Sequence, residues 1–375
     1  LIMKIKEVRL SKIKLVEYLG DVEPAWSPGW ASQKSTIGGY NFTEIELDNG
    51  HIGIGPGCDE VIINDANDYL VGKSPDDVEH HYKYMIYRSR NVPYSGLAGI
   101  DIALWDLKGK IHGKSISEML GRKKESLVPY ASYVILSNPE ERAEMSMQML
   151  EDGWKVIKVR LHHENEDQDV ETIKKIIDKT GNKLTILVDA NQAQSSYPWQ
   201  PGVVWDFERA KRMNNVMSDF GCYWLEEPRP RFNYDELSEL SAMKKTKIAG
   251  GENNTVLSDF DYMVQNNVYD ILQPESMVLG GITPLIEIGE LSRKYSKEIV
   301  PHHGGGDIGV VAHMHLLSTW DNAPFCEMLN DPPLSSYKNK FFIFNENLEV
   351  VNGEIEVPNE PGLGVSIKED LIIRD

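Results

Sequence analysis

The sequence predicts a β/α barrel of about 200 residues joined to a smaller α+β domain assembled from both chain ends. Three observations predict it. From Val128 onward, short β-branched and aromatic runs alternate with helical segments in a regular beat. Within that beat three runs each close on a carboxylate: Leu184 to Asp189, Cys222 to Glu226 and Lys247 to Glu252. The residues before Val128 have another texture, with an alternating strand, a hairpin turn and an apolar helix.

Composition narrows the class. The 375 residues are 41% hydrophobic and 26% charged, as in ordinary soluble globular proteins. A net charge of −19 argues against nucleic-acid or anionic-membrane partners, and it obliges an anionic substrate to find a local cation. The three cysteines, Cys58, Cys222 and Cys326, stand far apart in no metal-type spacing, which fits a reducing cytoplasm. No apolar run reaches the length of a membrane span and no secretion-signal pattern opens the sequence, so a cytoplasmic location is expected.

In chain order, Lys4 to Val16 alternates apolar and charged residues, the mark of a half-exposed antiparallel strand. Thr43 to Asp48, Asn49-Gly50 and His51 to Gly55 read as a hairpin on an Asn-Gly turn. Between them, residues 18–37 are expected to form a lid loop. It is rich in Gly, Pro and Ser yet carries Trp26 and Trp30, and a loop with large aromatics has something to cover, the site or its own domain. Residues 75–114 are helical, and Ser95 to Lys110 is apolar nearly all round, as in a buried helix.

The barrel then begins. Val128 to Val134 is strand one; Asn138-Pro139 opens a helix to Asp152; Trp154 to Leu161 is strand two; residues 167–180 form the next helix. The three acid-ended runs are strands three to five. Asp270 to Glu275 is strand six, Glu298 to His303 strand seven and Ala323 to Glu327 strand eight. The segment 194–204 is longer than such loops usually are and lies on the active-site side. The expected domains are a capping domain over 1–127, the barrel over 128–332 and a segment over 333–375 that rejoins the capping domain.

A parallel strand that ends on an acid puts that acid at the C-terminal rim, where barrel active sites sit. One such acid can simply cap the next helix. Asp189, Glu226 and Glu252, however, are spaced by 37 and 26 residues, in phase with a β/α unit of about 30. Three converging carboxylates call for a hard cation. Lys158 and Arg160, two apart on strand two, face the same interior, where a cation pair is costly unless anions answer it. A metal-bound carboxylate substrate would give them a purpose. Strand seven ends in His302-His303 before Gly304 to Asp307, and Glu275 on strand six can hold the imidazole, fixing its tautomer and raising its pKa.

Taken together these residues resemble the enolase superfamily, in its mandelate racemase-like group, over nearly the whole chain. Leu104-Trp105-Asp106 with Gly109-Lys110 resembles the capping-domain motif. Lys158-Val159-Arg160 stands at the Lys-x-Lys position, and Asp189-Ala190-Asn191, Glu226-Glu227-Pro228 and Gly251-Glu252-Asn253 match the three magnesium-ligand motifs. Val300-Pro301-His302 matches the catalytic histidine strand, and Glu327 stands where the family hydrogen-bonds the substrate carboxylate. The resemblance implies a capping domain on a modified (β/α)7β barrel and Mg2+ on Asp189, Glu226 and Glu252. It implies removal of an α-proton to give a metal-stabilised ene-diolate, and a homo-oligomer, dimer or octamer.

Two departures choose among the reactions the resemblance allows. Arg160 replaces the second Lys, and guanidinium is a poor base. Glu275 replaces the usual Asp of the His dyad, which lengthens the side chain. Racemisation needs a base on each face; dehydration needs one. The expected activity is therefore dehydration of a sugar acid (an aldonate, an aldarate or a uronate) to a 2-keto-3-deoxy product. His302 is the base, Glu275 its partner, and Lys158, Arg160 and Glu327 contact the substrate carboxylate or a hydroxyl. Trp26, Trp30 and Tyr94 are expected at the distal end, with Asn191 and His303 as further contacts; Arg229 is either a distal anion contact or a surface residue. The alternatives are a racemase or epimerase using His302 and Lys158 on opposite faces, and a catalytically inactive metal-binding relative.

Overall fold

Apolar runs of four to six residues separated by amphipathic helices bury both faces only in a parallel sheet wrapped by helices. The computed structural model, which describes residues 3–29, 32–90, 96–194 and 202–374, has that architecture. Its eight parallel strands are Pro129–Ser132 (β1), Val156–Arg160 (β2), Thr185–Asp189 (β3), Trp224–Glu226 (β4), Lys247–Gly250 (β5), Ile271–Leu272 (β6), Glu298–Ile299 (β7) and Cys326–Leu329 (β8). Sequential strands pair from β1 to β7, and β8 returns to lie beside β1, so the sheet curls into a barrel.

Period-two alternation sorts the interior into layers. Tyr130, Val156, Leu187, Trp224, Ala249, Ile271 and Val300 pack together as an apolar floor. Two residues further along the same faces stand Lys158, Asp189 and Glu226, all fully buried. Register makes them neighbours: Asp189 pairs with Arg160 on β2 and with Glu226 on β4. The strands are shorter than the sequence suggests. β5 stops at Gly250, β6 at Leu272 and β7 at Ile299, so Glu252, Glu275 and His302 stand on the loops beyond them. Gly251 turns with φ 115°, while Pro274 and Pro301 lack the N–H that would extend a ladder.

The antiparallel sheet consists of Ile5–Ile13, Asn41–Leu47 and Ile52–Pro56, with Ile372–Ile373 from the chain's end paired to the first of these. Helices Glu60–Leu70, Val78–Arg88 and Leu97–His112 follow. The single helical stretch expected over 75–114 is thus two helices, and Glu60–Leu70 was not expected. The lid also differs from expectation: Glu17–Val22 and Gln33–Ile37 form a hairpin whose tip reaches the barrel, where Ala25 N donates to Val134 O at 2.9 Å.

Buried polar groups on Leu97–His112 fasten the two domains. Asp106 accepts from Ile54 N (2.9 Å), Leu363 N (2.8 Å) and Lys110 Nζ (2.7 Å), tying the hairpin, the helix and the C-terminal segment together. Trp105 Nε1 donates to Thr283 Oγ1 (3.0 Å), which donates to Asp101 (2.5 Å). Burial raises the Asp101 carboxyl to about 7 against the hydrogen bonds from Thr283, which lower it. A carboxyl raised on folding holds its proton better in the native state, so stability falls as pH rises from the unfolded value through the folded one. In Asp101→Asn that loss is absent. Its unfolding free energy relative to the parent should rise by roughly 2–4 kcal/mol between pH 4 and 7.5 in denaturant titrations. A difference that does not change with pH would contradict this reading of Asp101.

Candidate active site

Parallel strands direct their final residues to one rim, and here that rim is charged. Asp189, Glu226 and Glu252 each offer a carboxylate oxygen within 4.8 Å of the others. Lys158 Nζ lies 2.9 Å from Glu226 Oε1, 2.9 Å from Glu327 Oε1 and 3.5 Å from Asp189 Oδ2, with no solvent exposure. Trp224 Nε1, in the floor below, donates to Glu226 Oε2 at 3.1 Å. Arg160 bonds Asp189, donates to Tyr133 O (2.9 Å) and Ser132 Oγ (3.2 Å), and reaches Asn191 Oδ1 at 3.3 Å. Burial alone would lower the Lys158 pKa, but Glu226 and Glu327 hold it well above its ordinary value. Burial and then Asp189 push the Glu226 carboxyl up as well, far above the carboxylate range.

Four carboxylates thus face two cations, a shortfall of two charges. The donor set is all oxygen, buried and clustered, as a hard divalent cation requires. Asp189, Glu226 and Glu252 therefore fit a magnesium ion by charge and by donor type.

On the other side of the cavity, His302 Nδ1 lies 2.7 Å from Glu275 Oε2, and Nε2 is 3.3 Å from Glu252 Oε2. Glu275 also accepts from Gly304 N (2.9 Å) and Met277 N (3.0 Å). The longer Glu side chain therefore reaches its imidazole. Burial opposes charge on His302, but Glu252 and Glu275 outweigh it and raise the imidazole to about 10. Glu275 is lowered to about 2 by the His302 bond, against burial. His303 behaves oppositely: burial and then His302 lower it to about 3, and its Nδ1 accepts from Gly305 N at 3.0 Å. The distances thus set His302 between the carboxylates of Glu275 and Glu252.

These groups surround a cavity of about 200 Å³ lined by Trp26, Arg160, Asn191, Glu252, Asn253, His302, His303 and Leu329. The Arg160 guanidinium lies 5.9 Å from the Trp26 ring centroid, so this part of the lid hairpin meets the charged rim. Trp30 and Tyr94 lie outside the described residues. Arg229 does not line the cavity; it is half-buried and bonds Glu236 and Trp205 O.

Two participants, Leu329 and His313, escaped the sequence reading, and Asn253 entered it only within the Gly251-Glu252-Asn253 match. Asn253 and Leu329 line the cavity because a loop and a strand face happen to aim them there. His313, on the apolar helix Ile308–Leu317, reads as a core residue in sequence. Its Nε2 lies 2.8 Å from Ser276 Oγ and 3.8 Å from Glu275 Oε1, and the ring also bonds the His302 main chain. It thereby ties together the two loops that carry His302 and Glu275. His313→Phe should lower kcat about 10- to 100-fold with little change in KM. An unchanged kcat in a folded variant would show that the dyad holds its geometry without this tie.

Comparison with known proteins bears on the family and the fold. A family model described as enolase C-terminal domain-like matches residues 141–371, and the mandelate racemase / muconate lactonizing enzyme N-terminal domain matches residues 40–121. The chain is 28% identical over 309 residues to L-talarate/galactarate dehydratase of Salmonella typhimurium, covering 80% of this chain and 72% of that protein. It is 27% identical to arabinonate dehydratase of Saccharolobus solfataricus, covering 87% and 88%. Among solved structures, the 3,6-anhydro-D-galactonate cycloisomerase from Zobellia galactanivorans superposes with a TM-score of 0.80 at 25% identity, covering 99% of this chain and 100% of that one. The Salmonella dehydratase, liganded with Mg and L-lyxarohydroxamate, superposes with a TM-score of 0.82 at 24% identity, covering 98% and 92%.

Proposed function

The chain belongs to the enolase superfamily, in its mandelate racemase / muconate lactonizing enzyme branch, and from that premise we propose that it is a magnesium-dependent dehydratase of a sugar acid. The observation that carries this reading is the imidazole of His302, held on Glu275 and facing three clustered carboxylates. The dehydratase relatives, talarate/galactarate and arabinonate, support the reaction class. In this reading residues 1–127 and 333–375 cover the site that residues 128–332 build.

Asp189, Glu226 and Glu252 would hold the magnesium ion, which when bound supplies the positive charge needed to acidify a proton beside a carboxylate. In its neutral form His302 takes that proton from the α-carbon at Nε2. Glu275, on Nδ1, fixes the tautomer and stabilises the imidazolium. The β-hydroxyl then leaves as water with the proton that His302 returns, so one residue serves as base and then acid. Arg160, its fork fixed by Asp189, Tyr133 O and Ser132, orients the substrate carboxylate rather than moving protons. Lys158, enclosed by Glu226, Glu327 and Asp189, keeps its proton and acts as a fixed charge. Glu327, which borders Lys158, contributes to the same carboxylate subsite.

Solvent deuterium separates this reaction from epimerisation. Run in D₂O, a dehydratase yields a 2-keto-3-deoxy acid labelled at C3. An epimerase returns substrate labelled at its α-carbon and no keto acid, and that outcome would overturn the proposal.

A further inference from the structure

We propose that the substrate carries a single carboxylate and an uncharged polyol tail, an aldonate rather than an aldarate. The inference rests on the dehydratase reading and concerns the far end of the same cavity. A second carboxylate drawn into this cavity of about 200 Å³ calls for a counter-cation of its own, since desolvating an unpaired charge is far costlier than desolvating a hydroxyl.

The positive groups around the cavity all stand at its carboxylate rim. Lys158 lies beneath it among Glu226, Glu327 and Asp189. Arg160 spends its nitrogens on Asp189, Asn191, Tyr133 O and Ser132. His302 is held between Glu275 and Glu252. The cations of the next layer turn elsewhere: Arg142 to Asp331, Arg229 to Glu236 and Arg231 to Ala193 O.

Among the described residues, the rest of the wall is His303, Asn191, Asn253, Trp26 and Leu329, with no Lys or Arg. Asn253 offers an amide suited to a hydroxyl, Trp26 offers a ring for a C–H face, and Leu329 is apolar. Residues 30–31, 91–95 and 195–201 contain no Lys, Arg or His in sequence. With a divalent ion balancing the rim, one substrate carboxylate meets Arg160 and the ion, and a second would stand alone.

Matched pairs test this: D-gluconate against D-glucarate, and D-galactonate against galactarate. Each acid is assayed for keto-acid formation by the parent, and for binding to His302→Asn in magnesium by calorimetry. The aldonate should exceed its matched aldarate at least about a hundredfold in kcat/KM and should bind more tightly. Leu329→Arg, which adds a cation to the wall, should narrow that gap at least about tenfold. Equal or better use of an aldarate overturns the proposal, as does failure of every aldonate to bind. Aldonates that bind in preference to aldarates but lose no water would leave this inference standing and remove the dehydratase reading.

Discussion

His302→Asn should lower kcat about 10³- to 10⁴-fold while leaving the fold and the affinity for magnesium nearly intact. The prediction follows from geometry. Nδ1 is engaged at 2.7 Å by Glu275, which leaves Nε2, 3.3 Å from Glu252, as the atom that meets a substrate α-proton. Asparagine keeps a polar group near the Glu275 bond but offers no base. The loss should appear in kcat and equally in deuterium exchange at the α-carbon. Glu275→Gln should cost less, about 10²-fold, because the imidazole keeps a hydrogen-bond partner but loses the charge that stabilises its protonated form. Should His302→Asn retain exchange, the base would lie elsewhere.

The second large effect concerns Lys158. Removing one partner of a buried ion pair strands the other, at a cost of about 3–5 kcal/mol. Lys158 answers Glu226, Glu327 and Asp189 at once, so metal-free Lys158→Met should unfold at a markedly lower temperature than the parent. The same change takes a positive charge away from the carboxylates that would hold the ion. Magnesium should therefore bind about tenfold more tightly to the variant and restore much of the lost stability. Thermal melts with and without magnesium, and calorimetric titration of the ion, read both effects. A variant that melts like the parent without metal, and binds magnesium no better, would show that Lys158 does not balance the cluster.

The barrel was legible because the information is local. β-Branched runs, Asn138-Pro139 at a helix start and acids at regular spacing each declare themselves within a few residues. The carboxylate cluster was legible for the same reason, since Asp189 and Glu226 close their strands. What the sequence concealed is set by contacts across the chain. The lid reads as loop from its Gly, Pro and Ser content, yet Tyr18 pairs with Thr36 in a hairpin. His313 lies on a helix buried along its whole length, and only the fold brings it to Ser276 and the main chain of His302. The reach of Glu275 could not be judged from side-chain length alone. It depends on β6 ending at Leu272 and on Gly304 and Met277 turning their N–H groups toward the carboxylate.

The most direct test of the account is to incubate the protein with magnesium and an aldonate panel and to follow 2-keto-3-deoxy acid with semicarbazide. The account predicts keto acid from at least one aldonate, abolished by EDTA and restored by added magnesium. Keto acid that persists in EDTA, or none from any sugar acid while the protein binds magnesium, would contradict it.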